Sequence, residues 1–406
     1  MTVAALTMAQ IYRPEYVEDP YPLYRLIREI SPVYWDRHMG KDGAWMVTGY
    51  PEALETLRDA RYSAYRPQWS PEGLPEPAAC PMRALHNQVF VVDPPQHSRL
   101  RKLMTKPFLP KAVELLRPRI EQVGQRLLDR ALESGDEFDF MNDFAMALPS
   151  AIVCELLGVP PQDRERLWRF VLSWGLLVDE NPLADENPEY HLRGISKYMD
   201  YFRDLVAQRR DHRTDDLIQV LADGWADGEF DSEEELLGNI IFLFTAGQTT
   251  TAHQIGNTAL SLLANDSVLA EVTADPSLVA AATPEFMRYD CSVQLTKRRA
   301  TTAMKLAGER IEAGQELFVW LGAAHRDPRA FTDPDTLDPA RPKSQHLALG
   351  HGIHYCVGGQ LGQLVNEVAI RQFVERVPRP SVDLARVKRT ATPTFRGPHA
   401  IPMAFG

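Results

Sequence analysis

The run Leu349-Gly350-His351-Gly352-Ile353-His354-Tyr355-Cys356-Val357-Gly358-Gly359-Gln360-Leu361 sets one cysteine in a glycine-punctuated turn that leads straight into an apolar helix. A thiolate binds iron only if it stays unprotonated and is offered at a defined angle. Glycines let backbone N–H groups close around the sulfur, and the start of the following helix adds positive potential that lowers a thiol pKa. A lone cysteine is ordinarily a small buried hydrophobe. The glycines and histidine in register with Cys356 argue for ligation instead. His354, two residues earlier, can meet an anion at the edge of a bound cofactor.

Three other clusters could do chemistry. Ala246-Gly247-Gln248-Thr249-Thr250-Thr251 places small and hydroxyl residues in an otherwise apolar helical run, where a threonine hydroxyl can bond the carbonyl one turn back. Glu285 and Arg288 stand three apart, neighbours on one helix face; alone, such a pair is usually an exposed salt bridge of little value. His97 and Arg101 stand four apart at a helix start, and both are donors suited to carboxylates.

These side chains need elements to hold them. Ser232 followed by Glu235 reads as a capping box, and the apolar run from there through Phe242 and Phe244 to Leu263 predicts a helix. About 30 residues would make a rod of roughly 45 Å. Residues 66–96, rich in proline and glycine, read as a long loop, and 111–210 carry mostly helical periodicity. Ala226-Asp227-Gly228 reads as a tight turn after a helix. Short apolar runs with glycine turns after 298 predict small sheets. The expected fold class is mainly α with a minor β part.

Composition narrows the function classes. A net charge of −11 argues against general nucleic-acid binding. Cys80, Cys154, Cys291 and Cys356 are spaced too irregularly for a disulfide framework or a zinc site, which suggests a reducing compartment. Residues 1–10 lack a secretory leader, and no run approaches the roughly 20 apolar residues of a membrane span. A cytoplasmic, membrane-free monomer is expected.

The cysteine run resembles the FGxGxHxCxG loop of the cytochrome P-450 family, and soluble bacterial members in particular. Other motifs follow in the family's order: Asp93-Pro94-Pro95-Gln96-His97 through Arg101 is similar to DPPxHxxxR, Ala246 to Thr250 to AGxETT, Glu285 to Arg288 to ExxR, and Ala323-Ala324-His325-Arg326-Asp327-Pro328 to AANRDP with histidine for asparagine. The resemblance implies one cytochrome P-450 domain over residues 1–406, with a single haem b held by the Cys356 thiolate as the metal ligand. It further implies propionate donors at His97, Arg101, Arg298 and His354, and cofactor contacts at Ala246 and Gly350. Arg299 is a one-residue register risk beside Arg298, while Arg99 and Lys102 read as a solvated basic face. Glu285, Arg288 and Arg341 would form a structural clamp. Thr250 falls on the oxygen-activating threonine, with Gln248 and Thr249 beside it.

The sequence departs from the pattern at Thr249, where the family has Asp or Glu to relay protons; general acid–base help of that kind contributes about 10²–10⁴-fold. Leu349 stands for a frequent phenylalanine beside the sulfur, a lever on redox potential. By family position, the 80–92 loop, the 170–180 region, Phe242, Leu243, Val293, Gln294, Leu295 and Pro393 to Phe395 should line a pocket for a small hydrophobic or aromatic molecule. The implied activity is a monooxygenase fed by NAD(P)H through a ferredoxin and its reductase, in secondary-metabolite tailoring. Lys102, Lys106, Lys111, Arg117 and Arg119 could form a basic docking face on the cysteine side, and a solvated helix face explains them equally well. Two rivals stand beside it: an atypical member that couples or rearranges radicals or uses peroxide, and a non-catalytic haem-binding protein.

Overall fold

The structure, a computed structural model, describes residues 6–67, 70–133, 135–167, 171, 188–342, 345–390 and 392–406. The chain divides into two compact units assembled from separated segments. One comprises Met1–Ser63, Leu116–Leu148 and Thr250–Gly406, and the other Ala64–Leu115 and Pro149–Thr249.

All the described strands belong to the first unit. Its main sheet has the order β1 (Val33–Asp36), β2 (Ala44–Val47), β8 (Glu316–Trp320), β5 (Leu295–Ala300), β3 (Tyr62–Ser63). Only β2 and β8 pair in parallel, with Met46 opposite Phe318; the other neighbours are antiparallel. Alternation along β8 sends Leu317 and Val319 to one apolar cluster, with Val33, Val47 and Leu347. Phe318 and Trp320 go to a second cluster, with Leu23, Tyr24 and Ile27 of the helix Tyr21–Ile30. The sheet is therefore buried on both faces. β6 (Met304–Leu306) and β7 (Glu309–Ile311) form a hairpin, and β4 (Glu137–Asp139) pairs with β9 (Pro402–Ala404).

The second unit is helical. Its helix Glu76–His86 lies where the sequence suggested a loop. Pro77 sits at the helix start, where its missing N–H costs nothing, and Pro81 removes one internal bond. Packing offsets that loss. Arg83 bonds Glu234 at 3.1 Å, and the backbone of Ala84 lies so close to Gly238 that a Cβ there would meet the Ala84 carbonyl oxygen at 2.1 Å.

The long helix is present as Glu233–Leu263, running unbroken through the glycine and threonines. Its capping box forms with a shift of one residue. Glu235 N donates to Ser232 Oγ at 3.1 Å, while the Glu235 carboxylate accepts from Asp231 N at 2.8 Å instead of from Ser232 N. Arg99 is no solvated cation: it grips both Glu235 oxygens, at 2.8 and 2.9 Å, and also bonds Asp231. Glu235 is almost wholly buried, so this pair is far better shielded than a surface bridge.

One stretch of the described chain is long and apolar. Phe140–Leu157 has 18 residues of mean hydropathy 1.4, and 56% of it is buried in the protein. Asn142 and Asp143 interrupt the apolar run. Both are absorbed locally, since Asn142 N donates to Asp139 and Asp143 accepts from Asp139 N.

Candidate cofactor and oxygen-activation site

Cys356 is held by its own backbone. Cys356 N donates to Leu349 O at 2.8 Å, closing the loop, and Gly350 N donates to Leu347 O at 2.8 Å. The loop bends at Gly350 (φ 71°) and Gly352 (φ 70°), both left-handed. At Gly352 a Cβ would also lie 2.5 Å from Leu57 O, so only glycine fits. A short turn, Gly352–His354, carries His354, and the helix Gly359–Arg376 begins three residues after the cysteine, with Gly359 N bonded to Cys356 O at 3.2 Å. Cys356 therefore stands just before the positive end of an 18-residue helix.

The other cysteines are differently placed. Cys154 and Cys291 are buried and Cys80 is half-buried, whereas Cys356 is exposed. Burial pushes the Cys154 thiol up to about 11, and burial with the nearby Asp290 raises Cys291 further. Burial raises Cys80 as well. Among the described residues no group of three His, Cys, Asp or Glu side chains could hold a metal ion. A haem brings its own macrocyclic nitrogen ligands and would need a single thiolate from the protein, which Cys356 in its backbone-closed loop would supply.

The supporting clamp is fully assembled. Glu285 and Arg288 bond bidentately at 2.7 and 2.9 Å, and Arg341 Nε adds a 3.0 Å bond to Glu285 Oε1. The Arg288 and Glu285 side chains are 0% and 4% exposed, so this pair is not the surface bridge that its spacing alone suggests. Arg288 also donates to the carbonyls of His325, Pro334 and Thr336. Burial alone would raise the Glu285 carboxyl; the bonds from Arg288, Asp338 N and Arg341 hold it below the ordinary carboxylate range.

The proposed anion donors stand on separate elements. His97 is buried and Arg101 half-buried on the helix Gln96–Thr105. On β5 Arg298 is buried, with Nη1 donating to Lys297 O at 2.8 Å, and Arg299 is more exposed. On the long helix, Gln248 is 1% exposed; its Nε2 donates to Phe244 O at 2.5 Å, and its Oε1 has no partner among the described residues. Thr249 and Thr250 are half-buried.

The expected pocket residues divide. Phe242 stacks on Phe90, with ring centroids 5.0 Å apart and planes 13° from parallel, and Leu243 is buried. Val293 is partly buried and bridges Phe395. Gln294 and Leu295 are corrections. The Gln294 amide is occupied by Tyr24 Oη at 3.1 Å and Cys291 O at 2.7 Å, and Leu295 packs in the core with Tyr24 and Trp320. Apart from Val171, the 170–180 segment lies outside the described residues. Arg117, expected as a docking cation, bonds Glu367 at 2.7 Å.

Sequence reasoning missed two histidines of this region. His325 Nε2 accepts from Leu347 N at 2.7 Å, and His346 Nδ1 accepts from Ala348 N at 3.3 Å. The departure from asparagine at 325 was the available signal; nothing marked His346.

Comparison with known proteins agrees with this geometry. Residues 276–377 match the family model described as Cytochrome P450. The chain is 32% identical over 410 residues to the biotin biosynthesis cytochrome P450 of Bacillus subtilis (strain 168), covering 100% of both chains. It is 34% identical to the cytochrome P450 monooxygenase PikC of Streptomyces venezuelae, covering 96% of this chain and 92% of that one. Among solved structures, the P450 enzyme CxnD, described as acting in C–S bond formation in chuangxinmycin biosynthesis, superposes with TM-score 0.83 at 33% identity, covering 95% of this chain and 94% of that chain.

Proposed function

The chain belongs to the cytochrome P450 family of haem-thiolate monooxygenases, and within that family we propose that it is a cytoplasmic tailoring enzyme of secondary metabolism acting on a small hydrophobic or aromatic molecule. The observation that carries the reading is the exposed Cys356 in a backbone-closed loop at the start of a helix. Bound haem supplies reductive activation of dioxygen. Electrons would come from NAD(P)H through a ferredoxin reductase and ferredoxin, with Lys102, Lys106 and Lys111 as docking cations.

The side chains divide the remaining work. Cys356 would hold the haem iron through its sulfur, at the start of the helix Gly359–Arg376, whose positive end favours a thiolate. His97, Arg101, Arg298 and His354 are assigned to the propionates, where charge-assisted bonds anchor the cofactor. Glu285, Arg288 and Arg341 hold the segment behind the loop. Thr250 is assigned to orient the proton-donating water. Since Thr249 does not ionise near neutral pH, it passes a proton only through water, and the unpartnered Gln248 Oε1 supplies a buried acceptor for such a water or for substrate. Phe90, Phe242, Val293 and Phe395 supply apolar surface for the substrate.

Thr249 also favours a second reading, an atypical reaction in which radical coupling or rearrangement replaces complete hydroxylation. The likeness to CxnD supports it at the level of analogy. Reconstitution with ferredoxin, reductase and NAD(P)H separates the readings: oxygenated product supports the first, coupled or rearranged product the second, and turnover with peroxide alone a peroxide-driven enzyme. Binding of aromatic compounds without product under any condition overturns all three in favour of a silent haem protein.

A further inference from the structure

We propose that His325 is a positioning residue that ties the Glu285–Arg288–Arg341 clamp to the cysteine loop through its own main chain and side chain; the inference rests on the haem-thiolate reading of Cys356. Arg288 Nη1, already paired with Glu285 through its other nitrogens, donates to the His325 carbonyl at 2.8 Å. The imidazole of the same residue continues the chain, with Nε2 accepting Leu347 N at 2.7 Å. Leu347 O accepts Gly350 N at 2.8 Å, and Leu349 O accepts Cys356 N at 2.8 Å. Four successive hydrogen bonds thus run from a buried ion cluster to the amide of the ligating cysteine. His325 and Leu347 are both 0% exposed, so water cannot take the place of the imidazole.

The arrangement needs a neutral ring with its proton on Nδ1. Burial, together with His346, Arg288 and Arg326 nearby, keeps His325 well below the ordinary histidine range. Nδ1 has no partner among the described residues, an atypical cost for a buried donor, so satisfying the ring's own polar atoms does not explain its presence. What the side chain achieves is acceptance of one N–H in a segment that belongs to neither a helix nor a strand. A phenylalanine would fill the same space and leave Leu347 N buried and unpaired.

The test compares haem-loaded parent, His325→Phe and His325→Gln, since a glutamine oxygen can occupy nearly the place of Nε2. Two readouts are taken: hydrogen exchange of the Leu347 and Ala348 amides, and the fraction of the ferrous–carbon monoxide complex that keeps thiolate ligation. His325→Phe should exchange about tenfold or more faster at Leu347 and lose thiolate ligation sooner, and His325→Gln should recover both. Parent-like exchange and ligation in His325→Phe would overturn the proposal, as would equal losses in the two variants. Should His325→Phe fail to fold, nitrogen-15 NMR of the parent decides: protonated Nδ1 with a hydrogen-bonded, unprotonated Nε2 supports the coupling, and protonated Nε2 refutes it. A parent protein lacking the thiolate spectrum would instead overturn the family-level assignment of Cys356, which distinguishes the two failures.

Discussion

Removing Arg288 should be among the most damaging single changes in this chain, and the structure gives the scale. In Arg288→Leu the Glu285 carboxylate, 4% exposed, keeps, among the described residues, only Arg341 Nε at 3.0 Å and Asp338 N at 3.1 Å. Breaking a buried ion pair by deleting one partner costs about 3–5 kcal/mol, and the remaining partners place this case near about 3. The carbonyls of His325, Pro334 and Thr336 lose a donor as well, each worth about 1 kcal/mol when satisfied. The total approaches the lower part of the roughly 5–15 kcal/mol that holds a typical domain folded. Urea unfolding followed by circular dichroism measures it, with Arg310→Ala as control: the Arg310–Glu312 contact is short, but both side chains are mostly exposed, and no measurable change is expected. Acid adds a second signature. Because the folded Glu285 pKa is depressed, its stabilisation is fully present above the unfolded value of about 4.3 and is lost as pH falls through the lower folded value. Glu285→Gln should flatten that acid limb. An Arg288→Leu midpoint equivalent to within about 0.5 kcal/mol of the parent would refute the assignment of this cluster as a principal buried support.

Other outcomes follow from the same contacts. Cys356→Ser should abolish thiolate ligation in the ferrous–carbon monoxide spectrum, whereas alanine at Cys80, Cys154 or Cys291 should preserve it. Arg101→Ala and Arg298→Ala should lower haem retention more than Lys102→Ala or Arg299→Ala; equal retention would put the propionates elsewhere. Thr249→Asp should raise the rate of dioxygen consumption with a surrogate substrate or divert product toward simple hydroxylation, and an unchanged rate, coupling and product ratio would make proton delivery independent of this position. Burial, with His399 and Arg389 nearby, holds His253 at about 4, so its neutral form stabilises the fold above the unfolded value of about 6.5; this contribution fades as pH falls from there toward 4, and His253→Leu should reduce the pH slope of the urea midpoint in that window.

What could be read from sequence was local. The capping residues at Ser232 and Glu235, the turn at Gly228 and the glycines around Cys356 each act within a few residues of chain, and each appears in the structure. The proline-bearing helix Glu76–His86 was missed because its stabilising contacts with Glu234 and Gly238 lie about 150 residues away. Gln294 and Leu295 were misplaced for a related reason: alternation tells which residues share a face, and only the partners, here Tyr24 and Trp320, tell what that face meets. Arg99 looked solvated because its acceptors at Asp231 and Glu235 are equally remote. The ExxR spacing is ambiguous in isolation, since exposed and buried pairs share it.

The unequal burial of the four cysteines turns thiol chemistry into a gauge of cofactor loading. With Cys154 and Cys291 buried, Cys80 half-buried and all three thiols raised in pKa, a bulky alkylating reagent added to haem-free protein should modify one site quickly, at Cys356. Iron ligation by Cys356, as proposed, would occupy that sulfur. The number of fast-reacting thiols per chain, between one and zero, therefore reports the unloaded fraction of any preparation without a spectrum.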